Sequence, residues 1–466
     1  MNTGFIVAAQ VLARLASTLF LLYVARRLGQ AGLGEYAFAF GVLSVLQTLT
    51  DFGLGTLSVR DLARDRGRVD SYFTGNLIAR LGLAAVAIVL VQAALPTLPL
   101  TPAIREMVRV LQLLLLCQAV TGAYGIVYNA FEAMHYPQAL ALFQAVATAA
   151  LGATLLGSGR GVSSLAYAAA AVGVVNAALA AALVRRVVRV RWHPDPGLVL
   201  RMLRASLPFA LTSVFALVYF RIGVFLLQFL RGPEAVGSFV AAFKILEAFL
   251  ILPGALTFAL FPRLARTAED PARGTVALEH AARYLLLAAV PLAAATAAFA
   301  APLLRLLYTE RYLDSASCLR VLALAIVPLF LNSVLGAAAL SLDRERTAMG
   351  IAAAMIGVNG LLHGLLIPAD GIRGAAWATL ITQTLVAVLY LRLLRRWVPG
   401  LRGIRQLWRP LAAGVPFLAM VWGPPVATFL PALAAYGCLL FLLRAVDGGD
   451  LVLLRRALGP AAEASR

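Results

Sequence analysis

Charged residues are scarce in this chain. Only 13% of its 466 residues are Asp, Glu, Lys or Arg, whereas 62% are hydrophobic. Soluble globular proteins have roughly 25% charged and about 45–50% apolar residues. A larger core does not explain the difference, because a surface that faces water needs charged cover. The composition excludes a single soluble domain, a disordered chain and a secreted disulfide scaffold, and it predicts a polytopic helical membrane protein.

Lysine and cysteine are also rare. Lys244 is the only lysine among 40 cations, and Cys117, Cys318 and Cys438 lie in or beside apolar segments without C-x-x-C spacing. This spacing predicts neither a metal site nor a disulfide framework. The net charge of +19 is distributed between apolar runs and forms no continuous basic patch, which argues against nucleic-acid binding. We therefore expect no metal, no cofactor and no nucleic-acid partner.

Catalytic motifs are missing from suitable contexts. The sequence has no GxSxG, HExxH, P-loop or glycine-rich dinucleotide turn where such a motif would work. Nothing resembles a nucleophile with its base, and the loops between apolar runs are too short to form a soluble domain. We expect neither an enzyme nor an ATP-driven pump.

Fourteen apolar runs are candidate transmembrane helices, because a span needs ~20 mostly apolar residues. Long continuous runs favour helices over barrel strands, which alternate over about ten residues. The last two runs are the weakest, since Gly423-Pro424-Pro425 divides one apolar stretch. We predict an all-α integral membrane fold with about 14 transmembrane helices. The predicted spans are 4–24, 36–56, 73–95, 108–129, 138–157, 163–184, 207–230, 238–260, 284–305, 317–340, 348–367, 374–394, 410–424 and 426–443.

The arginines predict the orientation. With the N-terminus inside, the inside segments carry 26 of the 40 cations, the outside loops carry 9 and the spans carry 5. Positive residues accumulate on the cytoplasmic side, so both termini are predicted to be cytoplasmic. The first apolar run begins at Gly4 without a basic region before it, so we interpret it as a retained span and not as a cleaved signal.

An internal repeat divides the chain. Phe20–Phe40 resembles Phe225–Phe243, and Gly53–Arg64 resembles Gly254–Arg266, with an offset that drifts from 205 to 201. Six spans separate the copies, so the halves are parallel and a cleft lies between them. The predicted division is a six-helix lobe at 1–184, a basic cytoplasmic linker at 185–206, a second six-helix lobe at 207–396, and two extra helices with a cytoplasmic tail at 397–466.

Two cations, Arg14 and Arg221, lie deep inside predicted spans, where a charge costs at least ~2.5–3.5 kcal/mol. Arg14 lies about ten residues into the first span, roughly 15 Å deep at 1.5 Å per residue. Arg221 is as central in the seventh span, and the repeat aligns Arg14 with position 219. We predict that Arg14, Arg221 and Lys244 form a substrate-binding cationic cavity. The alternative is that Arg14 and Arg221 snorkel or pair with carbonyls.

Carboxylates near these cations are candidates for coupling or gating. Glu247 follows Lys244 by three residues and shares its helical face, so the two either neutralise each other or switch partners. Asp51 is either a gate residue paired with Arg60 or an interfacial carboxylate. Arg80 and Arg320 lie near span ends and are predicted to snorkel. Uncharged polar residues are interpreted as interhelical hydrogen-bond partners: Gln10, Gln47, Asn76, Gln112, Gln144, Asn176, Asn332, Asn359 and His363.

These residues resemble a known family over about residues 1–400. The chain is similar to the Wzx-type polysaccharide or oligosaccharide flippases of the multidrug/oligosaccharidyl-lipid/polysaccharide exporter (MOP) superfamily. No single match is specific, whereas the order and spacing together are. The matching segments are Ala25–Gly29, Gly34–Phe38, Asp51–Gly55 with Arg60, Leu207–Phe209, Arg221–Ile222, Val236–Gly237, Ala241–Lys244, Leu252–Pro253, Phe261–Pro262, Leu307–Tyr308 with Tyr312, and Leu340–Arg344.

The resemblance implies two six-helix lobes with two additional C-terminal helices that alternate between inward-open and outward-open states. It implies transport of an undecaprenyl-pyrophosphate-linked oligosaccharide across the inner (cytoplasmic) membrane by a monomer that contacts lipids and polysaccharide-synthesis enzymes. Arg14 is similar to a first-span arginine of the related lipid II flippases. Phe20 replaces a second such arginine, and Glu35 matches their acidic residue. Gly223 stands where polysaccharide members often carry Asp, which puts a coupling role there in doubt.

Substrate chemistry separates the alternatives. A diphosphate is a compact anion that arginine binds in a bidentate manner. A cation-coupled multidrug exporter would instead need cleft carboxylates, for which only Asp51 and Glu247 are candidates. A lipid II flippase of the same superfamily remains an alternative. A membrane glycan polymerase or ligase would need a large external loop, which the sequence does not contain.

Overall fold

The structure, a computed structural model, describes residues 3–254, 271–342, 344–397, 408–421 and 425–443. These ranges contain fourteen α-helices. They are α1 Thr3–Asp51, α2 Leu54–Arg64, α3 Val69–Ala94, α4 Pro102–Ala130, α5 His135–Gly157, α6 Ser164–Val184, α7 Pro196–Arg231, α8 Pro233–Phe249, α9 Pro271–Ala298, α10 Ala300–Leu307, α11 Ser315–Ser341, α12 Glu345–Trp397, α13 Trp408–Val421 and α14 Pro425–Leu442. The predicted all-α integral membrane fold is confirmed.

Ten helical segments of the described residues are long and apolar enough to cross a membrane. Two of them, of 61 and 51 residues, each cover two predicted spans, so the ten segments account for the first twelve spans. The predicted spans 410–424 and 426–443 correspond to α13 and α14. With 14 residues, α13 extends about 21 Å, which is less than the ~30 Å hydrocarbon core.

The two long segments contain backbone breaks where one span turns into the next. In α1 the break is Gly29 (φ 71°, ψ −168°), a region that is essentially restricted to glycine. The same conformation recurs at Gly232 (φ 82°, ψ −177°), between α7 and α8. These glycines are 203 residues apart, within the offset of the internal repeat. The repeat therefore extends to backbone geometry. In α12 the break is at Asp370 and Gly371.

The chain divides into two compact units. The first comprises Met1–Ala241, Leu307–Tyr312 and Ile356–Ala375, and the second comprises Ala242–Leu306, Leu313–Met355 and Ala376–Arg466. In the first unit, a core that includes Leu57, Phe73, Tyr128 and Met202 joins α2, α3, α4 and α7. In the second, α13 packs on α9 through a cluster that includes Val290 and Phe417. The four-part division drawn from the sequence remains a prediction.

Large apolar side chains also cover the outer surfaces of the helices. Leu19, Val89 and Leu361 are 64%, 67% and 63% exposed. In water such exposure marks an interaction surface, whereas a lipid environment solvates it. The exposed apolar surface therefore agrees with the composition of a membrane protein.

Amides join neighbouring helices within each unit, as the sequence analysis predicted. Gln92 of α3 donates to Gln112 of α4 (2.8 Å), and Asn332 of α11 donates to Gln383 of α12 (2.8 Å). These bonds satisfy polar groups that lipid cannot satisfy. Some buried amide atoms nevertheless have no hydrogen-bond partner, including Nε2 of Gln112, Oδ1 of Asn332 and Oδ1 of Asn176 on α6.

Candidate functional site

Arg14 lies on a polar face of α1. Gln10, Arg14, Ser17 and Thr18 share this face, since residues three, four and seven apart align along a helix, and all four side chains are exposed. The opposite side of this stretch carries Leu12, Leu15 and Leu19. The first half of α1 therefore has one apolar face and one polar face, and Arg14 is the only charge on the polar face.

Arg221 is half-buried on α7, two residues before Gly223. A Cβ placed at Gly223 would lie only 2.7 Å from Nε2 of His363. His363 is 2% exposed, and its Nδ1 lies 2.8 Å from the carbonyl oxygen of Asn359. The side chain of Asn359 in turn donates to the carbonyl of Tyr219 (3.0 Å). His363 thus occupies the space that an aspartate at position 223 would need.

Lys244 and Glu247 form an ion pair on α8. The Nζ–Oε2 distance is 2.6 Å, and the side chains are 41% and 50% exposed. The spacing of three residues had placed them on one face, and the structure brings the charges into contact. An exposed pair contributes little to stability, so both charges remain accessible to other partners.

Asp51 pairs with Arg80 of α3 and not with Arg60. The Arg80 side chain is only 8% exposed, so the prediction that it snorkels is wrong. Its Nε donates to Oδ1 of Asn76 (2.6 Å), and Asn76 donates to Oγ of Ser58 (3.1 Å). Snorkelling is replaced by burial because a carboxylate and an amide neutralise and satisfy the guanidinium locally.

Two glycines make room for the Arg80 guanidinium. A Cβ at Gly122 would lie 2.5 Å from Nη1, and a Cβ at Gly55 would lie 3.3 Å from Nη2. Residues of α1, α2, α3 and α4 therefore surround the buried Arg80 guanidinium. Arg60 instead contacts the neighbouring Asp61 at 3.0 Å and is exposed. Sequence reasoning missed the role of Arg80 because its partners come from other helices.

Glu35 belongs to the second half of α1, and its side chain lies beside the N-terminus of α4. Thr101 caps this helix by accepting from the Ile104 amide (3.3 Å), and its hydroxyl donates to the Glu35 carboxylate (2.7 Å). A negative charge is favourable beside the positive end of a helix dipole. This position ties the second half of α1 to α4.

A backbone contact joins α1 to the start of α8 in the first unit. A Cβ at Gly34 would overlap the carbonyl oxygen of Pro233, and a Cβ at Gly237 would overlap the carbonyl oxygen of Gln30. Only glycine permits this approach at both positions. We call these four residues the glycine contact. The pairs 30/233 and 34/237 are each separated by 203 residues, so the contact is reciprocal across the repeat.

Side chains reinforce the region around the glycine contact. The buried Tyr312 hydroxyl donates to the Ala25 carbonyl (3.1 Å), and burial raises its pKa, so it stays protonated. Nε of Arg26 donates to the Leu307 carbonyl (2.8 Å). Arg231, the repeat equivalent of Arg26, donates to the carbonyls of Ile367 (3.4 Å) and Pro368 (2.5 Å).

A cavity of about 470 Å³ lies among α1, α4, α5 and α6 of the first unit. Ser17, one turn beyond Arg14, lines it. No group of three His, Cys, Asp or Glu residues in the described ranges could hold a metal ion.

Comparison with known families identifies the chain. The family described as polysaccharide biosynthesis protein matches residues 1–268, which is more than half of the sequence. The chain belongs to this family. A second family, described as lipid II flippase MurJ, matches residues 248–444. The search of curated proteins gives no match.

Solved structures share the fold of this polysaccharide biosynthesis family member. A lipid II flippase MurJ in an inward closed conformation has a TM-score of 0.75 at 13% identity, covering 96% of this chain and 100% of that one. An inward-facing multidrug resistance MATE family transporter of the MOP superfamily has a TM-score of 0.65 at 18% identity, covering 84% and 95%. A MOP superfamily transporter from Pyrococcus furiosus, described as having a binding pocket of reverse polarity, has a TM-score of 0.57 at 17% identity. The match covers 85% of this chain and 94% of that one.

The chain is therefore a multi-pass membrane protein of the polysaccharide biosynthesis family, and it shares the fold of these MurJ and MATE structures.

Proposed function

We propose that this transporter moves a lipid-linked oligosaccharide, carried on undecaprenyl pyrophosphate, from the cytoplasmic to the outer leaflet for surface polysaccharide synthesis. The observation that supports this best is the family match over residues 1–268, a segment that carries Arg14, Arg221 and Lys244. The pyrophosphate binds the arginines, because their planar guanidinium groups contact phosphate oxygens in a bidentate manner. Lys244 adds a point charge.

The paired carboxylates argue against a cationic drug as substrate. Asp51 contacts Arg80, and Glu247 contacts Lys244, so each carboxylate considered for a cation site has a cation of its own. An arriving pyrophosphate competes with Glu247 for Lys244. The released carboxylate then takes a proton or changes partners. Such a differential interaction is what a ligand needs in order to shift a conformational equilibrium.

Alternating access assigns gating roles to the remaining candidates. The glycine contact, with Glu35 nearby on α1, closes the outer end of the transport pathway in the inward-open state. It separates in the outward-open state. The Asp51–Arg80 pair and Arg60 act at the cytoplasmic side. The protein works as a monomer in the inner membrane, in contact with lipids and with enzymes of polysaccharide synthesis.

Flipping by reconstituted protein tests the proposal. Vesicles would contain an undecaprenyl-pyrophosphate oligosaccharide with a fluorescent label on its sugar, and a membrane-impermeant quencher would report the outer leaflet. We expect Arg14→Ala and Arg221→Ala each to abolish flipping, and lysine to restore part of it, because lysine keeps the charge and loses the planar fork. Arg320→Ala is the matched control, since Arg320 is an exposed in-span arginine on α11. Full activity of both alanine variants at the first two positions would refute the arginine site.

A lipid II flippase is the second candidate, favoured by the MurJ family match over residues 248–444 and by the TM-score of 0.75. Both substrates share the pyrophosphate lipid and differ in the sugar. The same vesicles loaded with lipid II discriminate between them, since faster flipping of lipid II than of the oligosaccharide lipid would reassign the substrate.

Orientation is tested by cysteine labelling. Arg189 is exposed in the segment that connects α6 to α7, and this segment is proposed to be cytoplasmic because it is arginine-rich. A single cysteine at position 189 should react with an impermeant maleimide in inside-out vesicles and not in intact cells. Labelling in intact cells would reverse the topology.

A further inference from the structure

The cavity in the first unit has the size of a small-molecule site. Its volume is about 470 Å³, within the ~300–1,000 Å³ typical of ligand pockets. Its lining residues lie on α1, α4, α5 and α6, between Ser17 and Asn176. It has room for a sugar-sized group and not for a whole oligosaccharide lipid.

The polar groups of the cavity are uncharged. Gln47 and Gln118 are hydrogen-bonded to each other. Nε2 of Gln144 donates to the Thr148 hydroxyl (3.1 Å) and to the Ala169 carbonyl (3.4 Å). Asn176, which is 8% exposed, has a buried Oδ1 without a partner. A buried acceptor left unsatisfied is costly, and a ligand donor that reaches it removes that cost.

The walls of the cavity are aromatic. Tyr36 and Phe40 lie with ring centroids 4.4 Å apart, and Phe20 meets Tyr36 edge-on at 6.4 Å. Tyr128 also lines the cavity, and its hydroxyl is already bonded to the Ala180 carbonyl (2.6 Å). Aromatic faces carry negative charge density and attract polarised C–H groups, while amides both donate and accept hydrogen bonds.

The described lining residues include no charged side chain, which restricts the ligand. Without a cation the cavity offers nothing to a diphosphate, and without a carboxylate it offers nothing specific to a cationic drug. A pyranose ring matches both kinds of wall, because its C–H face is apolar and its hydroxyls donate and accept.

We propose that this cavity binds a neutral sugar residue of the transported glycan, an inference that rests on the proposed function. The position of Arg14 agrees with this. Arg14 and Ser17 share one face of α1 and are separated by about 4.5 Å along its axis. A pyrophosphate at Arg14 would thus place the first sugars of its glycan near the cavity, so that charge and sugar are recognised by adjacent parts of one helix.

A matched pair of amides on α4 separates sugar binding from structure. Gln118 bonds to Gln47 of α1 and lines the cavity. Gln112 bonds to Gln92 of α3 (2.8 Å) and does not line it. Leucine at either position removes one interhelical hydrogen bond between side-chain amides. Both variants should therefore lower the free energy of unfolding by a similar amount.

The experiment measures binding of neutral monosaccharides to the full chain in lipid nanodiscs by saturation-transfer difference NMR. The probes are D-glucose, D-galactose, N-acetyl-D-glucosamine and L-rhamnose. We expect at least one to receive saturation from the wild type. The Gln118→Leu and Asn176→Leu variants should each lower the affinity for that sugar about tenfold. This factor corresponds to one hydrogen bond at the upper end of its usual free-energy range. Gln112→Leu should bind like the wild type.

Three results would overturn the inference: no transfer to any of the four sugars, equal transfer with Gln118→Leu and Gln112→Leu, or displacement of the sugar by tetraphenylphosphonium. If the leucine variants fail to fold, Thr148→Val and Thr154→Val replace them. Both residues lie on α5, and Thr148 lines the cavity while Thr154 is exposed and bonds locally to Leu151 (2.8 Å).

Failure of this inference is distinguishable from failure of the proposed function. Inorganic pyrophosphate, tested on the same samples, probes the arginine site, and its binding should respond to Arg14→Ala and not to Gln118→Leu. Loss of sugar binding with intact pyrophosphate binding in Gln118→Leu supports two subsites. Normal flipping by Gln118→Leu with unchanged sugar binding would refute sugar binding by the cavity. The proposed arginine site would be unaffected by that result.

Discussion

Adding one methyl group at the glycine contact should change the balance of transport states. In the structure, a Cβ on Gly34 would overlap the carbonyl oxygen of Pro233 and approach the Gly237 amide at 2.9 Å. Both obstacles are backbone atoms, so no side chain can rotate away. Gly34→Ala therefore requires α1 and the start of α8 to move apart.

The magnitude follows from two opposing contributions. Alanine in place of a helical glycine stabilises a helix by up to about 1 kcal/mol in every state. The overlap acts only where the contact is closed, and overpacking costs about 1–3 kcal/mol. A difference of this size changes the ratio of closed to open molecules by about 5- to 150-fold. Gly41→Ala is the matched control, because Gly41 also lies in the second half of α1 and a Cβ there has no neighbour within 4 Å.

Electron–electron double resonance between two nitroxides measures the outcome. Arg27 and Glu234 are exposed on either side of the contact, and cysteines at these positions would carry the labels in a background without native cysteines. We expect Gly34→Ala to add a longer-distance population in nanodiscs and to slow flipping. Gly41→Ala should keep the original distribution. Identical distributions for both variants would refute the steric argument, and a longer distance with unchanged flipping would refute the gating role.

Two further predictions concern ion pairs. Asp51→Asn should destabilise the protein by about 1–3 kcal/mol, because it leaves the buried Arg80 guanidinium without a carboxylate. Glu132→Gln, whose partner Arg66 is exposed, should cost no more than about 1 kcal/mol. Thermal unfolding of both variants checks this difference, and equal midpoints would contradict it. The double variant Lys244→Met with Glu247→Leu should fold, because apolar replacement of an ion pair is often neutral for stability. It should nevertheless fail to flip substrate in vesicles. Near-normal flipping would reduce the pair to a structural role.

Sequence reasoning predicted the helical spans well because the bilayer imposes a length. Ten described segments account for the first twelve predicted spans. It did not predict that the turn between the first two spans would be a single non-helical residue, Gly29. Nor did it predict that α2 would start after a left-handed pair at Phe52 and Gly53. Hydropathy measures how long an apolar run is, whereas a turn depends on the conformation of one or two residues.

The candidate site was predicted less completely. The Lys244–Glu247 contact followed from helical spacing because both partners lie on α8. Of the two alternatives for Asp51, the pairing with Arg60 was wrong, because Arg80 reaches Asp51 from another helix, 29 residues away. The cavity was also missed. Gln47, Gln144 and Asn176 were interpreted as interhelical partners, and only the packing of four helices shows that they line one space. Hydrogen-bonding capacity can be read from a sequence, whereas convergence requires the fold.

The reciprocal form of the glycine contact has a consequence for the origin of the protein. Residue 34 meets residue 233 while residue 237 meets residue 30, and each copy of the repeat supplies one glycine and one carbonyl. Such an arrangement is isologous, the form of contact that two identical subunits make across a two-fold axis. In an unfused ancestor with six spans per chain, one glycine codon would have formed both halves of this junction. A single mutation there would have changed both halves of the contact, whereas in the present chain each copy can vary alone.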